Sequence, residues 1–214
     1  MLSFLSIALA LSATVNGQLG KPVWSTTGMD PLNDYYQNIP ATSSSRVSIS
    51  TPSLCVSRAS GKCSSGDVQA VRVTYSDCGT PWVLCRCANA TMSFDTMVYR
   101  FGTIPPGVRS YVGAALATAA SGASAGSSGD FITFNGDCVT QVFLHEAGHS
   151  LDQGTNGGSA WQSAVSSSSC VPDAYANSNY AEDFAQVEVM YNYQLKDGTF
   201  PMSTACLTPQ LSYM

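Results

Sequence analysis

The only two histidines of this chain, His145 and His149, stand four residues apart in the string His145-Glu146-Ala147-Gly148-His149. Four residues make about one helical turn, so on a helix both imidazoles leave the same face. Two neutral ring nitrogens at that spacing suit one zinc ion. Glu146 between them is then placed as general base for an attacking water. Gly148 leaves room for a second element to come close to the site.

A catalytic zinc needs a third protein ligand and one open position for water. No histidine remains to fill that role, and the metzincin pattern is excluded because Asp152 and Thr155 stand where it requires glycine and histidine. The cysteines are expected to be oxidised, which leaves carboxylates. Glutamate occurs three times, as Glu146, Glu182 and Glu188. Glu182 opens the last helical segment, and on a helix packed against the first it would complete a His, His, Glu site. Two other readings stand beside it. Asn179 to Glu182 has the spacing of a capping box, and Asp183, turned about 100° round the helix, is the rival ligand. Glu182 is favoured.

The elements that must position these residues are read from periodicity. Cys138 to Leu151 is expected as the amphipathic helix of the motif, with Val139, Val142, Phe143 and Leu144 as its packing face. Tyr180 to Gln194 has helical character, and Trp161 to Ser166 reads as a short helix. Val68 to Thr74 and Pro81 to Cys85 read as strands, as does Phe131 to Phe134, which is a candidate edge for an extended peptide. Pro105-Pro106 and the alanine-rich run to Ala120 open like a helix with proline in its first turn. Gly122 to Gly129 reads as a small-residue loop. Gln18 to about Leu54, interrupted by Pro22, Pro31, Pro40 and Pro52, reads as an extended lead-in.

Residues 1–17 form an uncharged apolar segment, too short for a bilayer, and are expected to be a secretory signal cleaved between Ala13 and Gln18. The rest, residues 18–214, is enough for one domain. Eight cysteines in a secreted chain imply four disulfides whose connectivity is not readable from spacing, and Cys170 and Cys206 could staple the chain around the last helix. Cys85-Arg86-Cys87 is the closest pair and has the wrong spacing for a zinc ribbon. Asn89-Ala90-Thr91 is a glycosylation sequon that suits the same compartment. Charged residues make up 11% of the chain, net −5, with nine scattered Lys and Arg, which argues against nucleic acid as a partner.

The segments His145 to Asp152 and Tyr175 to Gln186 resemble the active site of lethal-factor-type gluzincin metallopeptidases. The resemblance implies His145, His149 and Glu182 as ligands, Glu146 as base and Tyr175 as an assisting hydroxyl, with Asp152 as a partner behind the ligands. One position departs from that pattern: Gln186 replaces a glutamate, and its amide can still accept a hydrogen bond from a ligand histidine. The tail, including Val171-Pro172-Asp173, is also similar to secreted fungal proteins of the conidiation-specific type. The fold these resemblances imply is α+β: a zincin-like metallopeptidase domain with an active-site helix, a short mixed sheet and a disulfide-stapled N-terminal part. The expected protein is an extracellular monomeric metalloendopeptidase carrying one Zn2+ and acting on a peptide or protein substrate, without membrane attachment. Two alternatives are a secreted zinc-binding or surface-interaction protein with little peptidase activity, and a disulfide-rich structural protein of a wall or spore coat that binds no zinc.

Overall fold

A computed structural model describes residues 19–214, so the expected signal segment 1–17 lies outside the described residues. In chain order the elements are α1 (Asn33–Asn38), β1 (Ser44–Ile49), α2 (Ser53–Arg58), β2 (Val68–Tyr75), β3 (Cys78–Cys87), α3 (Phe94–Phe101), α4 (Pro106–Arg109), β4 (Ala114–Thr118), β5 (Ser124–Ser128), β6 (Phe131–Asn135), α5 (Thr140–Asp152), α6 (Ser159–Ser167), α7 (Tyr180–Lys196) and α8 (Thr208–Leu211). The strands form one mixed sheet in the order β1-β2-β3-β4-β6-β5. β4 runs parallel to both its neighbours, β3 and β6, and the other pairs are antiparallel. The fold is α+β, as expected.

β-branched residues make β2 legible more than alternation does: Val68 and Ala70 are buried on one face and Val71, Val73 and Tyr75 on the other, with Gln69 and Arg72 exposed. β3 is longer than the expected Pro81–Cys85 because it begins at Cys78. Its register with β2 shifts between Val73 and Tyr75, so Pro81 sits at an irregularity where its missing N–H breaks no regular ladder.

Four expectations are corrected. The alanine-rich run is not a helix: α4 stops at Arg109, and Ala114–Thr118 is the buried strand β4, covered along its whole length. A parallel strand buried on both faces shows no alternation, and tertiary context overrides alanine's helix preference. The small-residue loop is β5, paired residue for residue with β6 from Ser124↔Asn135 to Ser128↔Phe131. β6 is therefore interior, and the open edge belongs to β5 instead of Phe131–Phe134. The lead-in is not irregular throughout. It contains α1 and the opposite edge strand β1, and Tyr36 of α1 is buried with its hydroxyl donating to the Val189 carbonyl.

Three disulfides form among the described residues: Cys55–Cys85, Cys63–Cys87 and Cys170–Cys206. The fourth expected bridge is absent. Cys78 begins β3, whereas Cys138 is buried just after β6, where its thiol donates to the carbonyls of Ser124 and Asn135. The Cys170–Cys206 bridge closes the chain around α7. Each native bridge of this kind contributes about 2–4 kcal/mol. No helix among the described residues is long and apolar enough to cross a membrane.

The layer of helices that holds the site is built on α5 against α7. Phe143 of α5 stacks on Phe134 of β6 at 3.8 Å between ring centres, which fixes α5 to the sheet. Val139 does not join that face: it precedes the helix and is 51% exposed. On the other side of α5, a Cβ at Gly148 would lie 3.2 Å from the Ala185 Cα and 3.3 Å from the Glu188 Cβ. Gly148 thus sets how closely α7 approaches. Gly148→Val should force the helices apart and destabilise the fold by about 1–3 kcal/mol. A thermal melt measures that loss, and an unchanged midpoint would show that the two helices are not held this tightly.

Candidate metal centre

His145 and His149 flank the midpoint of α5 and share one face, with ring centres 4.7 Å apart. Their Nε2 atoms are 3.0 Å apart, and Glu182 Oε2 lies 3.1 Å from each. Among the described residues these three are the group whose ligand atoms converge as a metal site requires. α7 delivers Glu182 through its own N-terminus. The Asn179 side chain accepts from the backbone N–H groups of Ala181 (2.9 Å) and Glu182 (3.0 Å), which starts the helix and fixes Glu182 in its first turn. Half of the expected capping box is therefore present. Its other half is not, because the Glu182 carboxylate turns to the histidines and away from the Asn179 backbone. Asp183, the rival ligand, is fully buried, and neither of its carboxylate oxygens has a hydrogen-bond partner. Glu188 lies deeper along α7, where Asn192 donates to it.

A second layer fixes the ligands. His145 Nδ1 lies 3.1 Å from Gln186 Oε1, and Gln186 Nε2 donates to Asp173 Oδ2 at 2.5 Å. Asp173 is itself held by the backbone N–H of Ala176 at 2.8 Å. An amide oxygen can only accept, so this chain assigns the proton to Nδ1 and leaves the Nε2 lone pair facing the site. Asp152 does not take the expected place behind the ligands. Its carboxylate accepts from the backbone N–H of Asn156 at 2.7 Å and from the Asn156 side chain, closing the turn after α5.

Glu146 is 5% exposed, and Ser127 Oγ lies 2.8 Å from both its Oε2 and its backbone oxygen. Ser127 and Asp173 were not identified as site residues from sequence. Ser127 lay in a stretch read as a loop, and Asp173 reaches the site only through Gln186. Tyr175 is 56% exposed with its ring 5.4 Å from that of His145. Burial, then the charges of Glu182 and Glu146, push its hydroxyl up to about 12, so it stays a proton donor at neutral pH. Hollows open on both sides. One of about 400 Å³ lies on the His145 side and includes Met29, Ala125 and Val142. Another of about 270 Å³ lies on the His149 side, with Gly126, Ser127 and Gly129. β5 borders both.

The conidiation-specific protein Con-13 family model matches residues 27–213, nearly all of the described chain. The chain belongs to the Con-13 family. Conidiation-specific protein 13 of Neurospora crassa is 32% identical over 161 residues, which cover 70% of this chain and 47% of that protein. The chain thus spans about half the length of the curated relative it matches. No solved structure matches.

The donor set of this Con-13 chain fits a zinc ion. Three atoms 3.0–3.1 Å apart share a point about 2 Å from each, the usual zinc distance for imidazole nitrogen and carboxylate oxygen. The electrostatics agree. Burial raises the Glu182 carboxyl, but the two imidazoles beside it, His145 and His149, outweigh burial and hold the group well below the usual carboxylate range. At His149 burial disfavours the charged ring, yet Glu182, Glu146 and Asp152 together raise its pKa. Both shifts come from pairing the Glu182 carboxylate with the imidazoles beside it.

Proposed function

We propose that this Con-13 chain is a secreted zinc metallopeptidase with a gluzincin-type centre in a zincin-like domain. The observation that carries the reading is the convergence of His145 Nε2, His149 Nε2 and Glu182 Oε2, with Glu146 on the same helix between the histidines. A zinc ion bound there supplies a Lewis acid for the scissile carbonyl and acidifies its water. Glu146 takes the water's proton at its carboxylate. Ser127 holds that carboxylate in place, while Gln186 and Asp173 hold the His145 ring. The unpaired outer edge of β5 offers backbone groups along the cleft to which an extended peptide can add as a strand. Secretion is supported by the three disulfides and by the apolar N-terminal segment.

Tyr175 is assigned as donor to the oxyanion that develops on the substrate. Removing one such donor typically costs about 10²–10³ in turnover. Tyr175→Phe should therefore depress kcat while leaving the melting midpoint unchanged, since the side chain is more than half exposed. A near-normal kcat removes Tyr175 from the mechanism.

Gln186 favours a second reading, that of a zinc-holding protein with weak activity, because a neutral amide makes the ligand less basic than a carboxylate would. Asp173 counters it by placing a carboxylate one hydrogen bond further back. Metal analysis and a denatured protein substrate separate the readings. The expected result is one zinc per chain and cleavage that stops with a chelator and resumes with added zinc. Zinc without cleavage supports the second reading, and absence of zinc supports a purely structural protein.

A further inference from the structure

The chemistry of the cleft walls points to its substrate, on the reading that the metal centre cleaves polypeptide. The 400 Å³ hollow on the His145 side has apolar walls from Met29, Ala125 and Val142 and includes the carboxylates of Asp30, Glu146 and Asp173, with no lysine or arginine in its lining. Asp173 is 2% exposed and bonded to Gln186, and Glu146 is held by Ser127. Asp30 is different: it is exposed at the mouth, and its Oδ1 accepts a single bond, from Asn33 Nδ2 at 3.0 Å. Asn33 is in turn fixed by Gln141 Nε2, which donates to Asn33 Oδ1 at 2.5 Å. A relay running from the start of α5 thus holds the Asp30 carboxylate in place and leaves its second oxygen free.

The wall made by Asp30, Asn33 and Gln141 is shared with a further hollow of about 760 Å³, so the groove continues beyond it. The charges in that hollow are already matched, Asp95 with Arg46 and Arg100 with Asp137. The hollow on the His149 side adds Glu182 and again no lysine or arginine. Outside the metal centre and its base Glu146, Asp30 is the fixed charge along the groove with a free acceptor.

We propose that the groove selects cationic stretches of polypeptide, seating a lysine or arginine side chain in the hollow on the His145 side with its charged end at Asp30. The aliphatic stem of such a side chain suits the Met29 and Val142 walls, and its head suits the carboxylate at the mouth. The preference should weaken as ionic strength rises, because Asp30 is exposed to solvent.

The test uses fluorescein-labelled unstructured peptides, identical except for lysine, methionine or glutamate at one position. Their binding is measured by anisotropy on the whole protein, with and without zinc. Cleavage of the unlabelled set is followed by mass spectrometry. The lysine peptide should bind about 10-fold more tightly than the other two, and cleavage should fall next to lysine and arginine. Asp30→Asn should abolish that preference and Asp30→Lys should reverse it. Asp67→Lys, the same change of charge in the turn before β2, should leave it intact. Equal binding of the methionine peptide, or a preference that survives Asp30→Lys, overturns the proposal. Charge preference in binding with no cleavage would uphold the cationic groove and remove the peptidase reading. Cleavage with no charge preference would do the reverse.

Discussion

Glu146→Gln should leave zinc content at one ion per chain and lower hydrolysis by about 10²–10⁴-fold, the range that a positioned general base supplies. The substitution is nearly isosteric, and the carboxamide oxygen can still accept from Ser127 Oγ, which sits 2.8 Å from the present carboxylate. The ligand triangle of His145, His149 and Glu182 is untouched, so metal binding and folding should be those of the native protein. What the amide lacks is a site to receive the water's proton at neutral pH. Metal analysis beside single-turnover cleavage checks both halves at once. Full activity in the variant would show that the base is another group, and loss of zinc would show that Glu146 belongs to the ligand set. Ser127→Ala gives a milder companion. It should lower kcat by less than Glu146→Gln does, because it frees the base without removing it.

The parts of the molecule legible in the sequence are those whose residue types carry a strong local preference or a motif. β2 is rich in β-branched residues, and α5 and α7 carry apolar residues at helical spacing, so both the zinc motif and the helix bearing Glu182 were legible. β4 and β5 were not, for opposite reasons. β4 is buried on both faces and so made of small apolar residues that read as helix, whereas β5 is an edge strand of serine, alanine and glycine with almost no apolar signal. The error at β5 carried over to the site, because it moved the substrate-facing edge to Phe131–Phe134 and hid Ser127. Within the centre itself, scarcity was the useful signal. Two histidines and three glutamates left few combinations, and Asp183 was separated from Glu182 only by which side of α7 meets α5. The relay from His145 through Gln186 to Asp173 depends on a contact between α7 and the loop before it, and local pattern carries no trace of such a contact.

Glu188→Gln should abolish much of the loss of stability that the native protein suffers between about pH 5 and pH 8. Glu188 is 1% exposed, one of its carboxylate oxygens has no hydrogen-bond partner, and burial pushes its pKa up to about 8 despite the bond from Asn192. In the unfolded chain the same group titrates near 4.3. Between those values the folded protein keeps a proton that the unfolded chain has given up. Stability therefore falls as pH rises through this window, and levels off once the folded group has also ionised. The accumulated loss is on the order of a few kcal/mol, since each pKa unit is worth about 1.4 kcal/mol. Asp183, also buried and raised to about 8, acts in the same direction and remains in the variant. Urea titrations of metal-free native and variant protein at pH 5 and pH 8 give the comparison, and their difference cancels every group the two share. The variant should match the native protein at pH 5 and exceed it at pH 8. An equal gap at both pH values would mean that Glu188 is ionised throughout, with a counter-charge reaching it inside the α5–α7 contact.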